Sequence, residues 1–193
     1  MASAALSASN IRLLAQHGTT YWEDEASVNG VWVGLLAEAF PGSDGFVLQP
    51  EGQGEGSKMR NDILVRKITD FQTGTQNAYL VFEGKSSKGD SLDQAAKQLL
   101  DFVKASPKLS GVTRLWGIVA RGTEFRLLFY LNGAEHRLKL PKPDPTNPNS
   151  GKPSSGAPNP DYTLAKAYDE AGSVESVEFF LAYAKTHVES WIP

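Results

Sequence analysis

Asn61-Asp62-Ile63-Leu64-Val65, and further on Tyr79-Leu80-Val81-Phe82-Glu83-Gly84-Lys85, are the two stretches on which the fold turns. Each is a β-rich apolar run of the kind that forms a buried strand, and each is interrupted at one end by charge. Asp62 opens the first strand, and Glu83 and Lys85 close the second. Successive strand side chains alternate between faces, so Glu83 and Lys85 point to one side and Gly84 to the other. With strands over Asn61–Ile68 and Ala78–Gly84 joined by a turn-like Thr69–Asn77, two neighbouring strands bring two carboxylates and an ammonium into one small volume.

Outward from this pair, Trp22–Phe40 carries Val28, Val31, Trp32, Leu35, Leu36 and Ala39 at helical spacing and is stopped by Pro41-Gly42. Ser9–His17 reads as a short helix, Phe46–Gln49 as a short strand, and the glycine-rich Glu51–Lys58 as a flexible loop. On the far side, Ser91–Ala105 is an amphipathic helix with Leu92, Ala95, Ala96, Leu99, Leu100 and Val103 on one face. Thr113–Ala120, Glu124–Leu131 and Glu135–Leu140 follow as strands, with Arg121-Gly122-Thr123 and Asn132-Gly133 as turns. Helix, three strands, helix, then further strands predict an α/β or α+β domain built on one central sheet.

Residues 141–160 hold 7 of the 11 prolines among Asn, Ser, Gly and Lys, the composition of an extended connector. Two C-terminal helices are expected beyond it, over Leu164–Tyr168 and Val174–Val188, packing back on the domain. The organisation is therefore a core over 1–140, a Pro-rich linker over 141–160 and a helical segment over 161–193.

A chain of 193 residues with 40% hydrophobic and 21% charged residues has an ordinary globular balance and can bury a substantial core. No apolar run suits a membrane span, and the N-terminus lacks a basic region followed by an apolar core, so neither a membrane partner nor a signal peptide is expected. The absence of cysteine excludes disulfides and thiolate metal sites, and a cytoplasmic or nuclear location is the default expectation. A net charge of −3 argues against coating nucleic acid by bulk electrostatics, but not against gripping a few phosphates locally.

Carboxylates held close repel, and burial raises their pKa values. A hard divalent cation resolves that conflict, positions a water and neutralises charge developing on a phosphate. An adjacent lysine can orient the water or contact the phosphate as a point charge. Each residue also has a plainer reading: Asp62 as turn chemistry, and Glu83 with Lys85 as a charged pair on a solvent face. His17, His136 and His187 match no metal or triad spacing, and Gly52–Lys58 lacks the order of a phosphate-binding loop.

Asp62, followed 21 residues later by Glu83-Gly84-Lys85, resembles the D…(E)xK signature of the PD-(D/E)XK nuclease superfamily, and the resemblance extends over about Tyr21–Phe129. It implies a restriction-endonuclease-like core, a central mixed β-sheet flanked by helices. It also implies divalent-metal-dependent hydrolysis of nucleic acid, DNA ahead of RNA. Asp62, Glu83 and the backbone carbonyl of Gly84 would bind Mg²⁺ or Mn²⁺, with Lys85 positioning or activating the attacking water.

The family's acidic residue on the preceding helix maps to Glu25, with Asp24 almost as well placed. Its glutamine on the following helix maps to Gln98, with Gln94 in reserve. Gln98-Leu99-Leu100-Asp101-Phe102 is similar to the family's QxxxY element with Phe for Tyr, and Asn61 stands where the family usually has proline. Lys58, Arg60 and Lys88 are the candidate substrate contacts. Many members act as dimers, so a homodimer is compatible with the resemblance. The alternative is a catalytically idle module of the same fold that binds nucleic acid or a protein. A weaker one is an interaction domain with a dimer seam on its C-terminal helices.

Overall fold

The two strands that carry the charged residues form a long antiparallel hairpin, Arg60–Asp70 (β2) against Thr75–Lys85 (β3). In the computed structural model, which describes residues 11, 14–16, 18–53, 60–106, 109, 112–132, 134–139, 154–155, 161–164 and 174–187, this hairpin lies within one mixed sheet. The other strands are Phe46–Gln53 (β1), Arg114–Arg121 (β4), Glu124–Leu131 (β5), Ala134–Lys139 (β6) and two short pieces, Ser154–Ser155 (β7) and Tyr162–Thr163 (β8). The order is β1-β2-β3-β4-β5-β6-β7, with β8 on β5. Only the β3–β4 pairing is parallel. That parallel step needs a crossover, which the helix Leu92–Ala105 supplies.

Helix Glu25–Ala39 (α1) covers one face together with Val174–His187 (α3), and Leu92–Ala105 (α2) covers the other. Alternation along the strands divides the core accordingly. Ile63, Val65, Leu80 and Phe82 pack beneath α1, whereas Leu64, Val81 and Val119 pack against α2. Trp32 of α1 lies 5.3 Å from Phe82 and 5.6 Å from Phe125, and Trp116 lies 4.5 Å from Phe129. These rings are fully buried, as their core-like spacing predicts, and are not surfaces for stacking bases. Ser91 caps α2 in a reciprocal box with Gln94. The Tyr79 hydroxyl closes α3, reaching the carbonyls of Ala184 and Lys185 at 3.0 and 2.6 Å.

Several boundaries differ from the sequence reading. β1 runs through Glu51 to Gln53 rather than ending at Gln49, because Gly52 and Gln53 still pair with Asn61 and Arg60. As an edge strand it tolerates Pro50, and Glu51 takes a kinked φ of 48°. The expected turn Thr69–Asn77 shrinks to Phe71–Gly74, where Asp70 accepts from the backbone of Gln72 and Thr73. Within the Pro-rich stretch Ser154–Ser155 is a strand, and the rest of residues 141–160 lies outside the described residues. So does the helix expected over Leu164–Tyr168, except for Leu164 itself, which follows β8 in a turn. Asp161 accepts from buried Arg126 at 2.7 and 3.1 Å, and Tyr162 packs on Phe125, so this segment is tied to β5. No helix among the described residues is long and apolar enough to cross a membrane.

Candidate active site

The β2–β3 ladder ends at the pair Ile63 and Phe82, and one residue beyond it the charged cluster begins. Continuing the alternation of Leu64 and Val81 puts Asp62, Glu83 and Lys85 on the α2 side of the sheet, with Gly84 on the α1 side. Where backbone pairing gives way, the Gly84 N–H donates instead to Asp62 Oδ2 at 2.7 Å. Lys85 Nζ donates to Glu83 Oε1 at 2.7 Å and lies 3.9 Å from Glu25 Oε1. The four sequence-predicted groups Asp62, Glu83, Lys85 and Glu25 therefore meet at one place, where the end of β3 comes close to the start of α1.

The three acids ahead of α1 separate by role. Asp24 is the N-cap, accepting from Ala26 N at 3.3 Å and Ser27 Oγ at 3.1 Å. Glu23 pairs with Lys88 at 2.7 Å on the exposed rim. Glu25 alone reaches Lys85, which settles the choice between it and Asp24 in favour of Glu25 as the residue facing the cluster.

Gln98 does not reach Lys85 by any contact found. Its side chain is exposed and donates to Asp90 Oδ2 at 3.0 Å, and Gln94 is occupied in the Ser91 capping box. Lys88 is held by Glu23, Lys58 lies outside the described residues, and Arg60 opens β2. Arg121, registered directly beside Lys85 on β4, is held only loosely, at 3.4 Å from the Gly89 carbonyl and 3.6 Å from Glu124. With Gly89, Ser91 and Gln94 it lines an open cavity of about 410 Å³, whose lining includes none of the four cluster residues.

Burial raises the pKa of Asp62, against the pull of the Gly84 N–H, the Lys85 charge and the Asn29 side chain. Burial also raises Glu83, reinforced by the Asp62 charge and only partly offset by Lys85, to about 7. Glu25 is raised in the same way, first by burial. Burial alone would lower Lys85, but its hydrogen bond to Glu83 and the charges of Glu83, Glu25 and Asp62 hold it above its usual value. Three carboxylates thus share one ammonium; burial does most to lift them, and neighbouring negative charge adds to it.

Among the described residues, no three His, Cys, Asp or Glu side chains stand close enough to form a ready metal cluster. Glu83 is turned toward Lys85, and Asp62 toward Gly84. The donor set still suits a hard divalent cation: it is made of carboxylate oxygens under uncompensated negative charge, with the Gly84 backbone between them.

Two residues that the sequence reading assigned no part in the chemistry stand at this site. Asn29, one turn along α1 from Glu25, has a side chain that lowers the Asp62 pKa. A Cβ at position 84 would fall inside contact distance of Asn29 Oδ1 and lie 3.1 Å from the Phe82 ring, so the central residue of Glu83-Gly84-Lys85 is glycine for steric reasons. Asn61, on the α1 face with Ile63, is 1% exposed and has neither amide atom paired. The i, i+4 relation of Asn29 to Glu25 was the available signal for the first. A polar residue where alternation demands an apolar one was the signal for the second. No family model, curated protein or solved structure matches this chain.

Proposed function

We propose that the chain is a divalent-metal-dependent nuclease of the PD-(D/E)XK type, hydrolysing phosphodiester bonds of nucleic acid, DNA in preference to RNA. The single observation that carries the reading is the convergence of Asp62, Glu83 and Glu25 around the Lys85 ammonium at one strand end, with carboxylate pKa values raised first by burial and further by neighbouring negative charge. The order α1, β1–β3, α2, β4, with a parallel β3–β4 step, agrees with the resemblance drawn from the sequence.

Asp62, Glu83 and the Gly84 carbonyl would hold Mg²⁺ or Mn²⁺, with Glu25 contacting the ion or its water shell. Bound there, the cation supplies Lewis-acid stabilisation of phosphate charge and a more acidic water. Lys85, kept protonated at neutral pH by its three acidic neighbours, serves as a hydrogen-bond donor and point charge that orients water or a phosphate oxygen, not as a proton acceptor. Gln98 enters this scheme only through Asp90, whose charge bears on Glu25.

A second reading, an idle module of the same fold that binds nucleic acid or protein, is favoured by the net charge of −3 and by the close Lys85–Glu83 pair. Cleavage of labelled single-stranded, duplex and branched DNA and of RNA, in Mg²⁺, Mn²⁺ or EDTA, separates the two. Metal-dependent products lost in Asp62→Ala and Lys85→Ala establish the nuclease. Full cleavage after Asp62→Ala would falsify the assignment of the site, and absence of both products and metal binding leaves the binding module.

A further inference from the structure

The side of Gly84 that faces α1 is also polar. Asn29 is half-buried on α1, next to buried Val28 and one turn before buried Trp32, and its side chain lowers the pKa of Asp62 against the effect of burial. Its amide oxygen points over Gly84, buried and without a partner. Phe82 bounds the same space from the strand, and Asn61 adds a second buried amide on that face, also unpaired. An unpaired buried acceptor destabilises a fold, so packing alone does not account for an asparagine here.

We propose that Asn29 is a positioning residue of the active site: its amide oxygen packs over Gly84, reserves that position for glycine and steadies the β3 backbone whose Gly84 N–H donates to Asp62. Asp62 is then held by the backbone of β3, and that backbone is held by a side chain of α1. The chemical consequence rests on the metal-dependent reading above, but the tie between Asn29, Gly84 and Asp62 does not.

The test uses Asn29→Ala, Gly84→Ala, the pair together and Asp62→Asn in the full chain. Asn29→Ser serves as a second variant should Asn29→Ala not fold. Calorimetric titration with Mn²⁺ alone should show Asn29→Ala binding about tenfold or more weakly while urea unfolding reports a folded protein, the scale expected when a group orienting a metal ligand is removed. In cleavage of duplex DNA, the Mg²⁺ concentration for half-maximal rate should rise while the rate at saturating Mg²⁺ recovers, a split that a merely structural role would not produce. Gly84→Ala should lose stability, and adding Asn29→Ala should restore a large part of it by removing the atom in the way.

Unchanged Mn²⁺ affinity and Mg²⁺ half-saturation in a folded Asn29→Ala would overturn the positioning role, even with the nuclease reading intact. If the wild type binds no Mn²⁺, the metal-dependent reading fails by itself, and the unfolding cycle of Asn29→Ala with Asp62→Asn decides the tie. Non-additive changes keep Asn29 tied to Asp62 through Gly84, and additive ones overturn it.

Discussion

Glu83→Gln is the most informative single perturbation of the cluster, because it removes a charge while keeping an acceptor for Lys85. In the folded chain burial and the Asp62 charge raise the Glu83 carboxyl from 4.5 to about 7. The folded protein therefore holds its proton more tightly than the unfolded chain does. Stability is full below about pH 4.5, falls as the pH rises through the interval to 7, and then levels off. At about 1.4 kcal/mol per pH unit, that interval corresponds to roughly 3 kcal/mol of destabilisation at pH 8. Loss of the charge–charge attraction to Lys85 works against the gain, so the variant should exceed the wild type by about 1–3 kcal/mol at pH 8.

Urea unfolding in EDTA at pH 5 and pH 8 reads this directly, as a higher midpoint for the variant at pH 8 with an unchanged slope. The difference should shrink to less than about 1 kcal/mol at pH 5, where the wild-type carboxyl is already protonated in the folded state. Asp62 and Glu25 are raised too and stay in both proteins, so they largely cancel in the comparison. Adding Mg²⁺ at pH 8 should stabilise the wild type and not the variant. Equal midpoints at pH 8, with a wild type indifferent to pH between 5 and 8, would refute the claim that Glu83 sits under uncompensated negative charge.

Other expectations concern the frame around the site. Arg126→Ala should cost about 2 kcal/mol in urea unfolding, because a guanidinium only 5% exposed bridges Asp93 at 2.8 Å and Asp161 at 2.7 Å. The cost stays below that of a fully buried pair because both stranded carboxylates reach solvent. Ser91→Ala should cost about 1 kcal/mol by breaking the α2 capping box, seen in the same assay. Phe71→Ala, at a hairpin tip and 75% exposed, should change stability by less than about 0.5 kcal/mol.

The chemistry-bearing strands were legible because charge at the end of an apolar run is rare and strand alternation is strict. Asp62, Glu83 and Lys85 need no knowledge of the turn between them to be placed on one face. Glu25 was harder, since three consecutive acids open α1 and only the helix phase relative to β3 distinguishes them. Asp24 takes the cap and Glu23 the rim lysine, a division of labour set by the path of the chain through Tyr21–Glu23 and not by composition. Gln98 shows the limit of helical-wheel reasoning: a border position fixes the direction of a side chain but not its partner, and Asp90, in the loop before α2, lies in that direction. The extent of β1 was missed because glycine and Pro50 argue for a loop, while pairing to Asn61 and Arg60 keeps the chain extended at a sheet edge, where proline is tolerated.

Asn29 was invisible for a different reason. Among the apolar residues of α1 a lone asparagine looks like a flaw in the pattern, and its meaning depends on Gly84, some fifty residues later in the chain. A side chain at 84 would displace the Asn29 amide and crowd the Phe82 ring, the amide being the nearer of the two. The same logic extends to the carboxylates. Glu83, Asp62 and Glu25 each carry a pKa raised by burial, with the Asp62 charge adding to the rise of Glu83 and Glu25, which is a cost to the folded chain as it stands. A cation taken up among them reverses that sign, so the free energy withheld from folding becomes affinity for the ion. A cluster selected for stability alone would have spread these charges. That it gathers them around a single ammonium and fixes one with the Gly84 backbone N–H is the physical ground for reading it as a site.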